Sequence, residues 1–264
     1  MSVYAISDLH LSLNSDKSME VFAGWEDYVN KIRDNWGKKI LKEDTVVIIG
    51  DISWAMSLEE AKKDLEFVND LPGRKILIKG NHEYMMQEAL YYGVYYDDID
   101  YPSKAFKLWI ANGGNTTMEN IREYLQKDKL KHEDYRVVRS AFLKNLYEYL
   151  NNLPEYLEIE VNNQSYVLVH AGSDVKRPLD KQDLDTLLWI REGFYLQRGD
   201  LTKIYIFGHT PTALLNKDYS FNIWLDEVHH NKIGIDGGLA CGTVGQLNCL
   251  CLNDGQITVI HKGG

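Results

Sequence analysis

Residue types that commonly bind metal ions recur at the ends of short apolar runs along this chain of 264 residues. The eight positions are Asp8 and His10, Asp51, Asn81 and His82, His170, His209 and Asp236. In open α/β sheets, ligands bind in the crevice outside the carboxyl ends of the strands. Polar side chains that follow several strands therefore converge on one place, and the pattern predicts a metal centre assembled from distant parts of the chain.

Each of these residues alone is a weak signal, because Gly-Asp after a strand is usually a turn and a single His is more often a hydrogen-bonded loop residue. The set is informative because these residue types occur repeatedly at the same place, directly after an apolar run, and in a consistent order along the chain. The other four histidines lie in polar or terminal contexts, and we expect them on the solvated surface. They are His132, His229, His230 and His261.

The apolar runs predict an α/β fold. Thr45–Ile49 (TVVII) is continuous and β-branched, which is typical of a strand buried on both faces. Val3–Ser7 and residues 75–79 form similar runs, and helical patterns separate the three, so the first part of the chain predicts a parallel sheet. The later part is expected to be strand-rich and antiparallel, with a closing hairpin at Asn253-Asp254-Gly255.

Residues 84–158 differ from the rest, since they lack β-branched runs, contain most of the tyrosines and show helical spacing. We interpret this segment as a mostly helical cap inserted into a single domain that spans 1–264. Two interpretations of the tyrosines stay open. They form a surface that binds a ligand or partner, or they fill an ordinary helical core.

Composition excludes several classes of partner. Lys and Arg number 29 and Asp and Glu 39, so the formal charge is −10, which opposes stable binding to nucleic acid or to an anionic membrane but not to divalent cations. The absence of a long apolar run and of a basic leader predicts a cytoplasmic protein without a membrane span. Three cysteines give no disulfide framework, and Cys249 and Cys251 are expected as buried apolar residues on one strand face.

The ordered segments SDLH, GD, GNHE, HAG and GHT resemble the calcineurin-like metallophosphoesterases, and they span residues 8–210. The segments 178–194 and 208–211, together with GIDGG at 234–238, are similar to the bacterial phosphoprotein phosphatase branch. That branch includes protein serine/threonine phosphatases and symmetrical diadenosine tetraphosphatases. The resemblance implies a four-layer α/β/β/α sandwich, with the active site at the strand ends between two sheets.

The resemblance also implies a centre of two divalent metal ions that hold a bridging hydroxide. Mn²⁺ is the expected ion for such mixed oxygen and imidazole ligands, with iron and Zn²⁺ as alternatives. It implies Asp8 and His10 on the first metal, Asp51 on both, and Asn81, His170 and His209 on the second. His82 corresponds to the general acid that protonates the leaving oxygen, and Arg191 to a phosphate-binding arginine.

The sequence departs from that family at three positions. Pro211 stands where many members have a second metal-binding His, and Trp54 and Ala55 stand where phosphoprotein phosphatases have Asp and Arg. Loss of that Arg removes a geometrically specific phosphate contact.

The implied activity is hydrolysis of phosphomonoesters, including phosphoserine and phosphothreonine proteins. Because of these departures, a nucleotide phosphodiesterase or dinucleoside polyphosphate hydrolase is the alternative. The expected partners are accordingly a phosphorylated small molecule, a nucleotide or a phosphoprotein. A non-catalytic scaffold is a third hypothesis. Scaffold relatives usually lose one or more metal ligands, whereas all six ligand positions here are occupied by residue types that bind metals.

Overall fold

The computed structural model describes residues 1–13, 25–53, 58–95, 107, 111, 132–241 and 244–261. Its strands are β1 (Val3–Ser7), β2 (Thr45–Ile49), β3 (Arg74–Ile78), β4 (Tyr156–Val161), β5 (Gln164–Val169), β6 (Lys203–Phe207), β7 (Trp224–Leu225), β8 (Lys232–Gly234), β9 (Gln246–Cys251) and β10 (Ile257–His261). Its α-helices are α1 (Tyr28–Lys39), α2 (Leu58–Asp70), α3 (Asn81–Tyr95), α4 (His132–Asn151), α5 (Leu184–Trp189) and α6 (Glu192–Tyr195). Short 3-10 turns lie at Leu179–Lys181 and Thr212–Leu214.

The first sheet has the order β10-β9-β1-β2-β3. Its three N-terminal strands run parallel, which confirms the sequence prediction. β9 and β10 extend this sheet antiparallel to β1. The predicted hairpin joins them, and the Gly255 N–H donates to the Cys251 carbonyl at 2.9 Å.

The second sheet has the order β4-β5-β6-β8-β7. Its central strands β5, β6 and β8 are parallel, and only the edge strands β4 and β7 are antiparallel to their neighbours. The prediction of an antiparallel C-terminal part is therefore wrong for the centre of this sheet. Helices α5 and α6 lie between β5 and β6 and supply the long crossover that a parallel pair needs.

The predicted boundaries of the helical segment 84–158 are also wrong. Helix α3 already begins at Asn81, and the last residues of the segment belong to β4. The sequence of β4, YLEIEV, alternates apolar and acidic residues, as a half-exposed edge strand does, so a search for continuous β-branched runs misses it. A helix that the sequence predicts at 116–128 lies outside the described residues.

Apolar side chains fill three layers, which confirms the four-layer sandwich. Helices α1 and α2 cover the outer face of the first sheet with Ile32, Trp36 and Phe67 against Ile6 and Ile48. Between the sheets lie Ala5, Val47, Ile49, Leu168 and Ile206. Phe194 of α6 covers the outer face of the second sheet, against Val167 and Phe207. Cys249 and Cys251 share the face of β9 that packs against α1, as predicted.

The described tyrosines of α3 and α4 divide between the two interpretations. The rings of Tyr91 and Tyr147 lie 6.0 Å apart between the helices, whereas Tyr149 is 47% exposed. Tyr91 and Tyr147 therefore serve the contact between the helices, and Tyr149 presents its ring to solvent.

Two of the four remaining histidines, His230 and His261, are exposed as predicted. The prediction for His229 is wrong, because its side chain is only 22% exposed and its Nδ1 lies 3.5 Å from the buried Asp226 carboxylate. The side chain of His132 is outside the described set. Among the described helices, none is long and apolar enough to cross a membrane.

Candidate metal centre

Sharp turns at the strand ends bring the sequence-predicted residues together. Asp8, His10, Asp51 and His209 all adopt left-handed backbone conformations, with φ of 51°, 41°, 48° and 61°. Asp and His tolerate this region better than most residues. Backbone hydrogen bonds hold the first two turns side by side, since the His10 N–H donates to the Asp51 carbonyl at 3.0 Å.

Glycine is required where the turns approach one another most closely. A side chain at Gly80 would collide with the Asp51 carboxylate, and one at Gly208 would collide with the Asp8 carboxylate. These glycines let the loops that follow β3 and β6 reach the two aspartates. The Gly-Asn-His-Glu and Gly-His-Thr segments therefore depend on their glycines for space.

Asp8, Asp51 and His170 form the centre of the cluster. One ligand atom from each lies within 4.8 Å of the others, and all three side chains are buried. The Oδ2 atom of Asp51 is 3.7 Å from Nε2 of His170 and 3.9 Å from Nε2 of His82. Because His170 follows β5 and both aspartates follow strands of the first sheet, the cluster spans the junction of the two sheets.

His170 and Asn81 bring two potential ligand atoms close together. The Nδ1 atom of His170 lies 3.2 Å from the Ile49 carbonyl oxygen, which can only accept, so Nδ1 carries the proton. Nε2 of His170 lies 2.8 Å from the Asn81 amide oxygen. An imidazole nitrogen and an amide oxygen are both common metal ligands, so this pair fits a metal ion.

His209 offers a further ligand atom. Its Nε2 is buried and has no hydrogen-bond partner among the described residues, which is costly for a polar atom unless it binds something else. Burial, together with His170 and Arg191, lowers the pKa of His209 to about 3. The ring is therefore neutral, which is the form that binds metals.

His10 is a second neutral imidazole at the cluster. It is 8% exposed, and its Nε2 lies 4.0 Å from the Asp8 carboxylate. Burial lowers the pKa of His10 to about 4. It is therefore available as a nitrogen ligand at neutral pH.

Three buried carboxylates lie near each other in this cluster. Burial and the charges of Asp236 and Asp51 hold the pKa of Asp8 well above its usual range. Burial raises the pKa of Asp236 to about 6. Burial would also raise the pKa of Asp51, but the neighbouring imidazoles of His170, His82 and His10 lower it below its usual value. This concentration of negative charge is stabilised by divalent cations, so the donor set fits a metal centre.

The family model for calcineurin-like phosphoesterases matches residues 1–236, the part of the chain that carries every residue of this cluster. The chain belongs to the calcineurin-like phosphoesterase family. Among curated proteins, the gene 66 protein of Mycobacterium phage D29 is 32% identical over 123 residues, which are 44% of this chain. The match spans 61% of that relative's length.

Two solved structures were compared with this phosphoesterase, and one of them shares its fold. The crystal structure of a "putative diadenosine tetraphosphatase" superposes with a TM-score of 0.50 and 14% identity, covering 98% of this chain and 92% of the other. A structure named as that of an archaeal phosphodiesterase has a TM-score of 0.40 and 14% identity over 99% of both chains. The similarity to the first of these structures supports only the fold of this chain, not its activity.

The phosphoesterase uses one residue of this region that sequence reasoning missed. Glu83, the last residue of the Gly-Asn-His-Glu segment, accepts backbone hydrogen bonds from Gly80 at 2.9 Å, Asp51 at 3.1 Å and Ile52 at 3.3 Å. It thereby ties the turn after β2 to the turn after β3. Its position in the sequence directly after Asn81 and His82 was the signal from which a role at the cluster could have been predicted.

The rim of the cluster contains Arg191 and Trp189. Nη1 of Arg191 donates to the His209 carbonyl and to the Thr210 hydroxyl, both at 3.0 Å, and the residue is otherwise exposed. The Trp189 ring meets the His209 ring edge-on, with centroids 5.7 Å apart. Trp54 and Ala55, which replace the Asp-Arg pair of phosphoprotein phosphatases, lie outside the described residues.

Proposed function

We propose that this chain is a metal-dependent phosphoric ester hydrolase with a dinuclear centre at the junction of its two sheets. The observation that carries the proposal is the convergence of the buried Asp8, Asp51 and His170, with ligand atoms within 4.8 Å of one another. Two divalent cations, when bound, would activate water and neutralise the phosphoryl oxygens during in-line displacement. Mn²⁺ is the proposed ion, with iron and Zn²⁺ as alternatives.

The turns suggest how the ligands are shared. Asp8 and His10 come from one turn and would hold the first ion, since their side chains lie 4.0 Å apart. Asp51 lies between the groups and would contact both ions. Asn81, His170 and His209 would hold the second ion, which is supported by the distance of 2.8 Å between the Asn81 amide oxygen and Nε2 of His170.

His82 is the proposed general acid. Its side chain is 24% exposed and its Nε2 lies 3.9 Å from the Asp51 carboxylate, so it reaches both the cluster and the solvent side where a substrate enters. Imidazole can donate a proton to a leaving oxygen near neutral pH. In this position it would protonate the alcohol that departs from the phosphoryl group.

Arg191 is the proposed phosphate-binding cation. Its two hydrogen bonds through Nη1 fix the guanidinium at the rim and leave its other N–H groups available to phosphate oxygens. An arginine beside the cluster suits a phosphomonoester. Small phosphomonoesters or phosphoserine and phosphothreonine side chains are therefore the proposed substrates.

Trp189 favours a second class of substrate. Its side chain is 36% exposed, its ring meets the His209 ring edge-on, and it precedes Arg191 by two residues. An indole face next to a phosphate-binding arginine suits a ligand that carries both a base and a phosphate. Nucleotide phosphodiesters and dinucleoside polyphosphates are therefore the alternative substrates.

A substrate panel in defined Mn²⁺, Zn²⁺ and Fe²⁺ tests the proposal. The panel contains p-nitrophenyl phosphate, an alkyl phosphate, a phosphopeptide, diadenosine tetraphosphate and a cyclic nucleotide. Asp51→Asn should abolish turnover. His82→Asn should lower kcat about 10²–10⁴-fold for the alkyl phosphate and much less for p-nitrophenyl phosphate, whose leaving group needs no proton.

His230→Asn, at an exposed histidine, is the matched control and should keep full activity. Turnover by Asp51→Asn at the rate of the unsubstituted protein would contradict the proposal. Failure to hydrolyse any phosphoric ester with any of the three ions would do the same. Cleavage of the dinucleotide alone would favour the second class of substrate.

A further inference from the structure

Asp64 of helix α2 is a completely buried carboxylate outside the metal cluster, with 0% of its surface exposed. Its Oδ1 accepts the backbone N–H of Leu13 at 2.9 Å, and its Oδ2 accepts the Ser53 hydroxyl at 2.5 Å. One carboxylate thus contacts two chain segments that are far apart in sequence.

Those two segments carry candidate metal ligands. Leu13 lies three residues after His10, and Ser53 lies two residues after Asp51. Between the strand ends and Asp64 the segments stay paired, since the His10 N–H donates to the Asp51 carbonyl at 3.0 Å and the Leu11 N–H to the Ile52 carbonyl at 2.9 Å. A parallel bridge between Leu11 and Ser53 completes this extension.

The paired segments need such support because their backbone is strained. Asp8, His10 and Asp51 all have positive φ, between 41° and 51°. Conformations of this kind persist only where the surrounding structure fixes them. Asp64 is itself fixed, since Phe67 and Val68 of the same helix are packed into the core of the first sheet.

We propose that Asp64 is a positioning residue that sets the spacing of the metal ligands Asp8, His10 and Asp51. It holds the ends of both turns against α2 and so keeps the two carboxylates and the imidazole in register. This inference rests on the proposed metal centre, but it goes beyond the roles proposed for the cluster residues, because Asp64 itself binds no metal.

Asp44 provides a matched comparison within the same sheet. Its carboxylate likewise accepts two hydrogen bonds, here both from backbone N–H groups, of Ser2 at 2.6 Å and Leu41 at 2.9 Å, and it is 3% exposed. It precedes β2 and therefore lies at the opposite ends of β1 and β2 from the cluster. Its loss should weaken the fold in the same manner without disturbing the ligands.

Titration of the full chain with Mn²⁺, followed by calorimetry, separates positioning from stability. Asp64→Ala and Asp44→Ala should both lower the Tm of the metal-free protein. Only Asp64→Ala should weaken Mn²⁺ affinity, by roughly 10–100-fold, as expected when a residue that orients metal ligands is removed. Ser53→Ala removes half of the contact and should weaken Mn²⁺ binding to a smaller extent.

Equal Mn²⁺ affinities for the Asp64→Ala and Asp44→Ala proteins would overturn the inference. If Asp64→Ala does not fold, Ser53→Ala decides, and unchanged Mn²⁺ affinity in that variant overturns it. If the unsubstituted protein itself binds no Mn²⁺, the proposed function has failed, and the inference falls with it.

Discussion

The carboxylate of Glu83 accepts the backbone N–H of Asp51 at 3.1 Å, so one acid holds the main chain of another within the same buried cluster. Burial and the charge of Asp51 raise the pKa of Glu83. The arrangement is stable because both oxygens of Glu83 are occupied by backbone donors from Gly80, Asp51 and Ile52. The turn that presents Asp51 is therefore fixed by a side chain that does not itself need to bind metal.

Glu83→Gln should weaken this arrangement. The amide keeps one acceptor oxygen but turns its NH₂ group toward a backbone donor, and a buried unsatisfied donor costs about 1–3 kcal/mol. We expect a lower urea midpoint and weaker Mn²⁺ binding. Glu148→Gln, on the exposed side of α4 at 53% exposure, is the control and should change neither. An unaltered urea midpoint in Glu83→Gln would show that the hydrogen bonding lost in this variant contributes nothing to stability.

Asp8→Asn should stabilise the metal-free protein. Asp8 is buried beside Asp236 and Asp51, and burial together with the charges of these two residues raises its pKa. Asn carries no charge, so it avoids both the burial of a charge and this repulsion, and we expect a gain of about 0.5–2 kcal/mol in the free energy of unfolding. The same change should abolish the increase in Tm that Mn²⁺ causes. Calorimetric scans with and without Mn²⁺ measure both effects, and a destabilised metal-free variant would contradict the prediction.

Mn²⁺ binding should strengthen as the pH rises from about 5 to 7. Burial raises the pKa of Asp236 to about 6, so this carboxyl keeps its proton in the folded protein at pH values where an unfolded aspartate, with a pKa of about 3.9, has lost it. Its contribution to the stability of the metal-free protein is therefore present at low pH and lost as the pH rises through 6. A cation competes with this proton and replaces it above pH 6.

The increase in Tm caused by Mn²⁺ at pH 5.5 and at pH 7.5 measures this competition. The increase should be larger at the higher pH. Asp236→Asn removes one titrating group and should reduce the difference between the two values. Equal shifts at both pH values in the unsubstituted protein would show that these carboxyls do not compete with the metal.

Gly208→Ala should disrupt the cluster through its backbone. The added methyl group would collide with the Asp8 carboxylate, and overpacking of this kind costs about 1–3 kcal/mol. Gly37 of α1 is the matched control, because a methyl group there meets no atom within 4 Å. Gly37→Ala should raise stability, by about 0.5–1 kcal/mol, through its higher helix propensity. Urea unfolding of both variants gives the comparison, and similar stabilities for the two would be evidence against the close approach.

Strands buried on both faces could be predicted closely from the sequence. Val3–Ser7 and Thr45–Ile49 have the bounds that their apolar runs indicate. The convergence of Asp8, Asp51 and His170 also follows from their shared position after strands, because the carboxyl ends of parallel strands meet at one edge. The periodicity of apolar residues and the order of the strands along the chain are properties of the sequence itself, so a single chain is enough to predict them.

Features that depend on tertiary partners could not be predicted in this way. The edge strand β4 has the alternation of a half-buried strand and no continuous apolar run. The parallel pairing of β5 with β6 depends on a crossover through two short helices. Asp64 and Glu83 act through backbone N–H groups of other segments, which leave no spacing rule in the sequence.

The contact between the His209 N–H and the Asp8 carboxylate, at 3.1 Å, joins residues separated by 201 positions. The entropy of closing a loop of this length opposes the contact until other parts of the chain bring the two residues together. The ligand set is therefore complete only after both sheets have met, and no early fragment of the chain contains it. The first 81 residues supply only Asp8, His10, Asp51 and Asn81, so we expect full metal affinity only in a chain in which both sheets have formed.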